Sequence, residues 1–405
     1  MGLWNCLRAN MDDTSNVSPE SAVPTSLIAK TLDTTAGSGL HAIAEWLDRR
    51  GLGAFTPVAL YAAAVTVTFL PLLIAACFGV PMAARSATLN LPFFYDASTI
   101  FMYLVSFPCL LILTTSDHAL LCRSLNRVQV DGVLNTSEGS SIILVARWNR
   151  IFRKINLWAQ AVGMLAGIIA VYFVYRLIAD GAYTSWESGH PLSAAGFIRI
   201  YCDFLFAVVA AVYVLRSSAL PVLLWEIVSH SELRMLPLHP DNAGGLRPIG
   251  RLGLRNQYAI SLVGINIGLG WLVSHFFTPN EALVGFLVVA VIAYSVIGPF
   301  VFIGPLLPFR DAMMKSKVQL MSGVALRMRA QLDDLRSRFQ SGVITADDEQ
   351  MIERLRKIGA VINDMPVWPF DALTMRKFLT AYVIPPIVSF VVPLLKKILG
   401  YFQII

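Results

Sequence analysis

The chain has 405 residues, of which 56% are apolar and only 14% are Asp, Glu, Lys or Arg; the mean hydropathy is +0.63. Soluble domains carry about a quarter charged residues, so these figures exclude a water-facing surface throughout, and disorder, collagen and a disulfide scaffold with it. A net charge of +6 in so apolar a chain serves orientation and contact with anionic lipid, with no nucleic-acid partner implied. The composition predicts an all-α fold: a polytopic helical membrane bundle.

Residues 1–25 are polar and lack the apolar core of a signal peptide. Met1-Gly2 with Cys6 falls short of a lipidation signal, which needs Ser or Thr at position 6. His41 to Arg50 (HAIAEWLDRR) reads as a short amphipathic helix on the membrane surface, ended by Gly51 and Gly53, closing a cytoplasmic segment over 1–55. A six-helix bundle then fills 56–309, with apolar runs at about 57–80, 98–121, 157–178, 199–227, 258–277 and 283–307, each near the roughly 20 residues a crossing needs. Basic residues crowd alternate loops: Arg123 to Lys154 between the second and third runs, Arg234 to Arg255 between the fourth and fifth. The opposite loops hold only Arg85. The positive-inside rule then places both ends of the bundle in the cytoplasm. Trp46, Trp148, Trp158, Trp186, Trp225 and Trp271 suit an aromatic belt, and the five cysteines suit small buried hydrophobes without disulfides.

From Met314, apolar residues step by four and three through Val318, Met321, Ala325, Met328, Leu332, Leu335 and Phe339, a coiled-coil seam of about four heptads. Ser341-Gly342 breaks it. A second helix starts at Thr345, with Asp348 at its third position, and carries Met351, Leu355, Ile358 and Ile362. The pair predicts a cytoplasmic helical hairpin or coiled coil over 310–371; the seam either packs within the chain or also zips copies into a homo-oligomer. Residues 311–364 would also offer a surface to a soluble protein partner. MPVWPFD (365–371) stops the helix and turns Trp368 and Phe370 back to the membrane surface. In 372–405, Pro385, Pro386 and Pro393 followed by Lys396 and Lys397 favour a re-entrant or interfacial segment over a seventh crossing.

Ionisable residues within spans are the functional candidates. Arg176 and Asp180 end the third span and Arg199 and Asp203 begin the fourth, each Arg four residues before its Asp, so that they can meet on one helix face or across the hairpin. Pinning of the structure is the first reading and transport the second. Arg216 lies 13 residues beyond Asp203, about 20 Å along the helix. Snorkelling to lipid phosphate is its simplest reading, with Asp117 and Glu226 as the alternative partners. Asn266, mid-span, either glues helices together or lines a pore. Gly163–Gly167 and Gly264–Gly268 are GxxxG pairs that allow close helix approach, and Gly298-Pro299 and Gly304-Pro305 are candidate hinges.

The loop over 229–257 gathers His230, Glu232, His239 and Asp241 near Asp117 and His118, with Arg247, Arg251 and Arg255 as a basic stripe if helical. No metal-ligand spacing or P-loop is present, so capping, loop hydrogen bonds and lipid-phosphate contact explain these residues first; no metal or cofactor is implied. HPDNAGGL in this loop, with MPVWPFD far downstream, resembles a group of uncharacterised bacterial inner-membrane proteins over approximately the second half of the chain. The resemblance implies that membrane and supplies no activity or catalytic residue. Three functions stay open: an oligomeric channel, effector or transporter coupled to the 310–371 module; a scaffold recruiting a soluble partner; and a lipid-directed enzyme using the inner-loop His and carboxylate groups. The absence of a nucleophile–base constellation places the enzyme last.

Overall fold

The computed structural model describes residues 27–47, 49, 56–79, 91–136, 138–179, 186, 193–235, 239–241, 243–276, 281–340, 346–370, 375–380 and 382–383. Nearly all of them are helical. Two short helices, α1 (Leu27–Thr31) and α2 (Gly39–Leu47), precede the spans. The first span is built by α3 (Thr56–Val67) and α4 (Phe69–Gly79). The second combines α5 (Ala97–Phe101), a π-turn (Met102–Ser106) and α6 (Phe107–Val130). Then come α7 (Glu138–Ala179), α8 (Ala194–Ser229), α9 (Arg247–Phe276) and α10 (Glu281–Ile303). A 3₁₀ turn, Gly304–Leu306, leads into α11 (Leu307–Gln340), followed by α12 (Ala346–Asn363).

Among the described residues, six helical stretches are long and apolar enough to cross a membrane, compatible with a multi-pass membrane protein. They coincide with the six expected runs, and the second, third, fifth and sixth extend well past them at the basic end, because helices continue wherever a packed neighbour supports them. α9 is the central element: 50% of its most apolar window is buried, against 17–39% for the others.

Prolines and glycines set the local geometry. Pro108 has no N–H for the Leu104 carbonyl four residues back, and the Tyr61 hydroxyl donates to that carbonyl at 2.7 Å. Pro299 leaves the Ser295 carbonyl in the same state, and the Tyr382 hydroxyl donates to it at 2.8 Å. Gly163 and Gly167 admit Val208 and Phe204 of α8, while Gly264 admits Tyr294 of α10, so these glycine faces serve packing within one chain.

The two basic-end loops are tied by an antiparallel pair, β1 (Leu134–Asn135) and β2 (Glu232–Leu233). The largest apolar core lies at this end, where Ile28 and Leu32 of the N-terminal segment pack among α6, α7 and α8. That segment therefore packs into the core of the bundle. Ile43 and Trp46 of α2 do face outward, but His41 is buried. Trp148 and Trp186 are buried hydrogen-bond donors to Glu226 and Asp96 rather than members of a belt, and Cys77 is exposed.

α12 folds back on α11: Lys317 Nζ donates to the carbonyls of Asn363 and Met365 at 2.6 and 3.1 Å, and Leu355 and Ile362 are buried. The expected α11 seam is not the joining face. Val318 is 59% exposed and Leu332 51%, whereas Lys317 and Val324 meet α12. MPVWPFD turns inward: Phe370 is buried beside Phe302, and Arg310 lies 4.9 Å over the Trp368 ring. Beyond it, helical residues 375–380 and Tyr382 run along α10, with Phe378 stacked on Phe302 and Tyr382 on Tyr294. The rest of the apolar tail, 384–405, lies outside the described residues.

Candidate functional site

At the basic end, α6 carries Thr114, Thr115, Ser116, Asp117 and His118 in a stretch flanked by apolar residues. Thr114 and Thr115 donate back to the carbonyls of Leu110 and Leu111, 2.7 and 3.0 Å away, and Ser116 bonds the Ile112 carbonyl likewise. Such i−4 bonds keep hydroxyls satisfied where water is excluded. Arg255 of α9 reaches across to the Leu113 and Ser116 carbonyls at 2.8 and 2.9 Å.

Asp117 faces Arg216 of α8, with Nη2 to Oδ1 at 3.1 Å. Arg216 is 3% exposed, which overturns the snorkelling reading. Of its two sequence-level partners the fold selects Asp117; Glu226 instead holds Arg147 and Trp148, each at 2.8 Å. A long cation would reach water by extending toward the membrane surface, but a carboxylate on the adjacent helix and the loop between α1 and α2 cover Arg216 first.

That loop supplies the remaining contacts. Arg216 donates to the Thr34 carbonyl at 3.3 Å, to Ser38 Oγ at 3.4 Å and to His41 Nδ1 at 2.8 Å. A guanidinium only donates, so Nδ1 accepts and the His41 proton sits on Nε2, 3.3 Å from Asp117 Oδ1 but off hydrogen-bond geometry. Thr34 Oγ1 bonds His118 Nδ1 at 2.8 Å, and Cys122 Sγ lies 3.7 Å from the same nitrogen. α7 clamps the loop from outside: Asn156 donates to the carbonyls of Thr34 and Ala36, and Gln160 to that of Gly37. Asp33 closes a tight turn by accepting from Thr35 and Ala36. Burial pushes its carboxyl up, but these bonds outweigh it and the net displacement is downward. A cavity of about 10 Å³, the room of roughly one water, opens beside Asp117, Arg216 and Thr34. Nothing in the sequence alone pointed to His41, Thr34 or Ser38.

A second network occupies the opposite end. Asp96 caps α5 through the Thr99 N–H and hydroxyl, at 3.1 and 2.6 Å, and also accepts from Trp186 Nε1 at 3.1 Å and Arg199 at 3.3 Å. Arg199 Nε holds Asp203 at 3.1 Å, the expected pairing four residues apart, and the Tyr103 hydroxyl bonds the other Asp203 oxygen. Asp96 and Tyr103 were not legible as members. Arg176 lies exposed at its end of α7, and Asp180 falls outside the described residues.

Between the two networks lies an apolar layer of Phe107, Leu110, Val209 and Ala259. The polar groups that interrupt the bundle here belong largely to α9. Asn266 Nδ2 donates to Ser106 Oγ at 2.9 Å, at the end of the π-turn, and Asn256 Oδ1 accepts from Tyr213 at 3.1 Å. Asn266 Oδ1, Asn256 Nδ2 and Gln257 Oε1 are buried without a hydrogen-bond partner. Such atoms are costly in a dry interior and mark places where polar species are accommodated.

The inner-loop candidates separate. His230 bonds the Glu226 carbonyl at 2.9 Å, ending its own helix, and Glu232 pairs on the surface with Arg234 at 2.9 Å. His239 and Asp241 meet at 2.7 Å. Asp241 accepts from the N–H groups of Ala243, Gly245 and Arg247 at 2.9, 3.1 and 3.2 Å. Burial raises its carboxyl pKa, but these donors and the His239 ring outweigh that and hold it below the ordinary range. HPDNAGGL is thus a turn that starts α9: Gly245 has φ +89°, and a Cβ there would lie 2.5 Å from Val133. Arg251 is exposed and Arg247 half-buried. Among the described residues no three His, Cys, Asp or Glu side chains are placed to share a metal ion. No protein-family model, curated protein or solved structure matches the chain.

Proposed function

We propose that this chain is a bacterial inner-membrane transport or permeation device that works as a homo-oligomer and is coupled to the α11–α12 hairpin on the cytoplasmic side. The observation that carries this reading is the central span, α9, with buried, unbonded amide atoms on Asn256 and Gln257 next to the basic-end network and on Asn266 deeper in the bundle. Amides that make no full set of protein bonds suit a passing ion or polar solute, which would complete them transiently. The Arg216–Asp117–His41 cluster then closes the basic end, and the apolar layer is the barrier between the ends. The 3₁₀ turn at Gly304–Leu306 breaks the helix between α10 and α11, a place for the hairpin to move a span. The basic loops and the resemblance of HPDNAGGL and MPVWPFD support the orientation and the membrane.

Ion flux into proteoliposomes tests it, with Asn266→Leu and Arg216→Ala beside the wild type. Flux that falls with Asn266→Leu and leaks with Arg216→Ala is the expected pair of results. No flux from folded protein across a range of ions would sink the reading. A scaffold that recruits a soluble partner is the second reading, favoured by the exposed apolar residues of α11 such as Val318 and Leu332.

A further inference from the structure

A groove of about 390 Å³ runs between α7 and α8, lined by Ile151, Lys154, Ile155, Trp158, Val162 and Leu215 among others. Lys154 is the one charged residue in its wall. α7 carries Arg147, Arg150, Arg153 and Lys154 within eight residues and no carboxylate from 139 to 179. Arg147 is held by Glu226 at 2.8 Å, and Arg153 lies beside Gly37 of the loop between α1 and α2. Arg150, Lys154 and Trp158, spaced by four, share one exposed face.

The level of the groove identifies its occupant. No charged residue separates Lys154 from Arg176, a stretch of about 33 Å at the α-helical rise, which matches the roughly 30 Å of hydrocarbon in a bilayer. Lys154 therefore stands at the plane of the lipid phosphates. From there the apolar wall descends to Val162, about 12 Å into the hydrocarbon. Trp158, an indole at the interface, flanks the same path. We propose that this groove is a specific site for an anionic phospholipid, with one acyl chain between α7 and α8 and the phosphate on Lys154 and Arg150. A zwitterionic headgroup has no net charge to match the two cations. The bound chain would cover the helix pair whose other turn holds Arg216, next to Leu215 of the groove wall.

Native mass spectrometry of the full chain in detergent, with phosphatidylglycerol and phosphatidylethanolamine of matched chains, tests the site. Wild type should retain the anionic lipid preferentially. Lys154→Gln with Arg150→Gln should cut that preference by roughly fivefold per cation removed. Val162→Trp, which fills the groove and leaves the cations in place, should weaken retention of both lipids. Equal retention of the two lipids by wild type, or an unchanged preference in the double variant, would overturn the site. So would displacement of the lipid by glycerol phosphate, because the headgroup alone would then explain binding.

Discussion

Arg216 and Asp117 show what a buried charge costs once its partner is gone. The two are 99 residues apart, and their pairing, with the Thr34 carbonyl, Ser38 and His41 around the guanidinium, offsets the loss of hydration. Arg216→Ala and Asp117→Asn should each destabilise the folded protein by about 3–5 kcal/mol, whereas Arg216→Leu with Asp117→Leu should recover much of that loss. Thermal unfolding in detergent measures all three; equal losses in the single and double variants would contradict the pairing. Asp241 gives a pH-dependent counterpart. Its folded carboxyl titrates below the ordinary 3.8, so its contribution is complete above that pH and disappears as pH falls through the lower folded value. Asp241→Ala should cost about 1–2 kcal/mol near pH 6, as loss of a helix cap does, and the gap to wild type should start to narrow below pH 3.8 and close only below the lower folded value. A gap independent of pH would assign the effect to packing.

Helices in hydrocarbon must satisfy every carbonyl they free, and two elements do so with tyrosines. Pro108 is answered by Tyr61 and Pro299 by Tyr382. Tyr382→Phe should cost about 1–3 kcal/mol by leaving the Ser295 carbonyl bare, and in a Pro299→Ala background, where the helix supplies its own donor, that cost should shrink. A double-mutant cycle by unfolding reads the coupling; additive effects would show that Tyr382 acts by ring stacking alone. The same bond fastens the stretch after MPVWPFD to α10. Glycine does the complementary work on the other helices: Gly167 sits where a Cβ would come 2.5 Å from Phe204, so α7 and α8 approach closely along their shared length.

For the molecule as a whole, the α11 seam decides between an assembly and a scaffold. Its heptad spacing matches another helix, yet α12 packs beside it rather than on it. If copies zip through this face, light scattering in detergent should give a multiple of 44.5 kDa for wild type and a monomer for Val318→Asp with Leu332→Asp. An unchanged mass would hand the seam to a soluble partner.

The segments able to cross a membrane were legible because hydrocarbon imposes a local requirement, about 20 apolar residues in a row, that any window of the chain can meet or fail. The basic loops, the Arg199–Asp203 spacing and the glycine faces are local in the same sense. What closes over Arg216 is not: it depends on how α6 and α8 rotate about their axes and on a loop 178 residues away that places Ser38 against the guanidinium. The 3–4 spacing in α11 likewise says that a helix face is apolar and leaves open which neighbour covers it, since one residue of rotation shifts the contact from Val318 to Lys317. His230 and Glu232, near His239 and Asp241 along the chain, part company because the turn at Asp241 spends its carboxylate on the N–H groups of Ala243 and Gly245 and on that of Arg247, where α9 begins. Hydropathy and charge determined the class of this protein; helix rotation and the docked N-terminal loop, both products of long-range packing, decided where its buried charges meet.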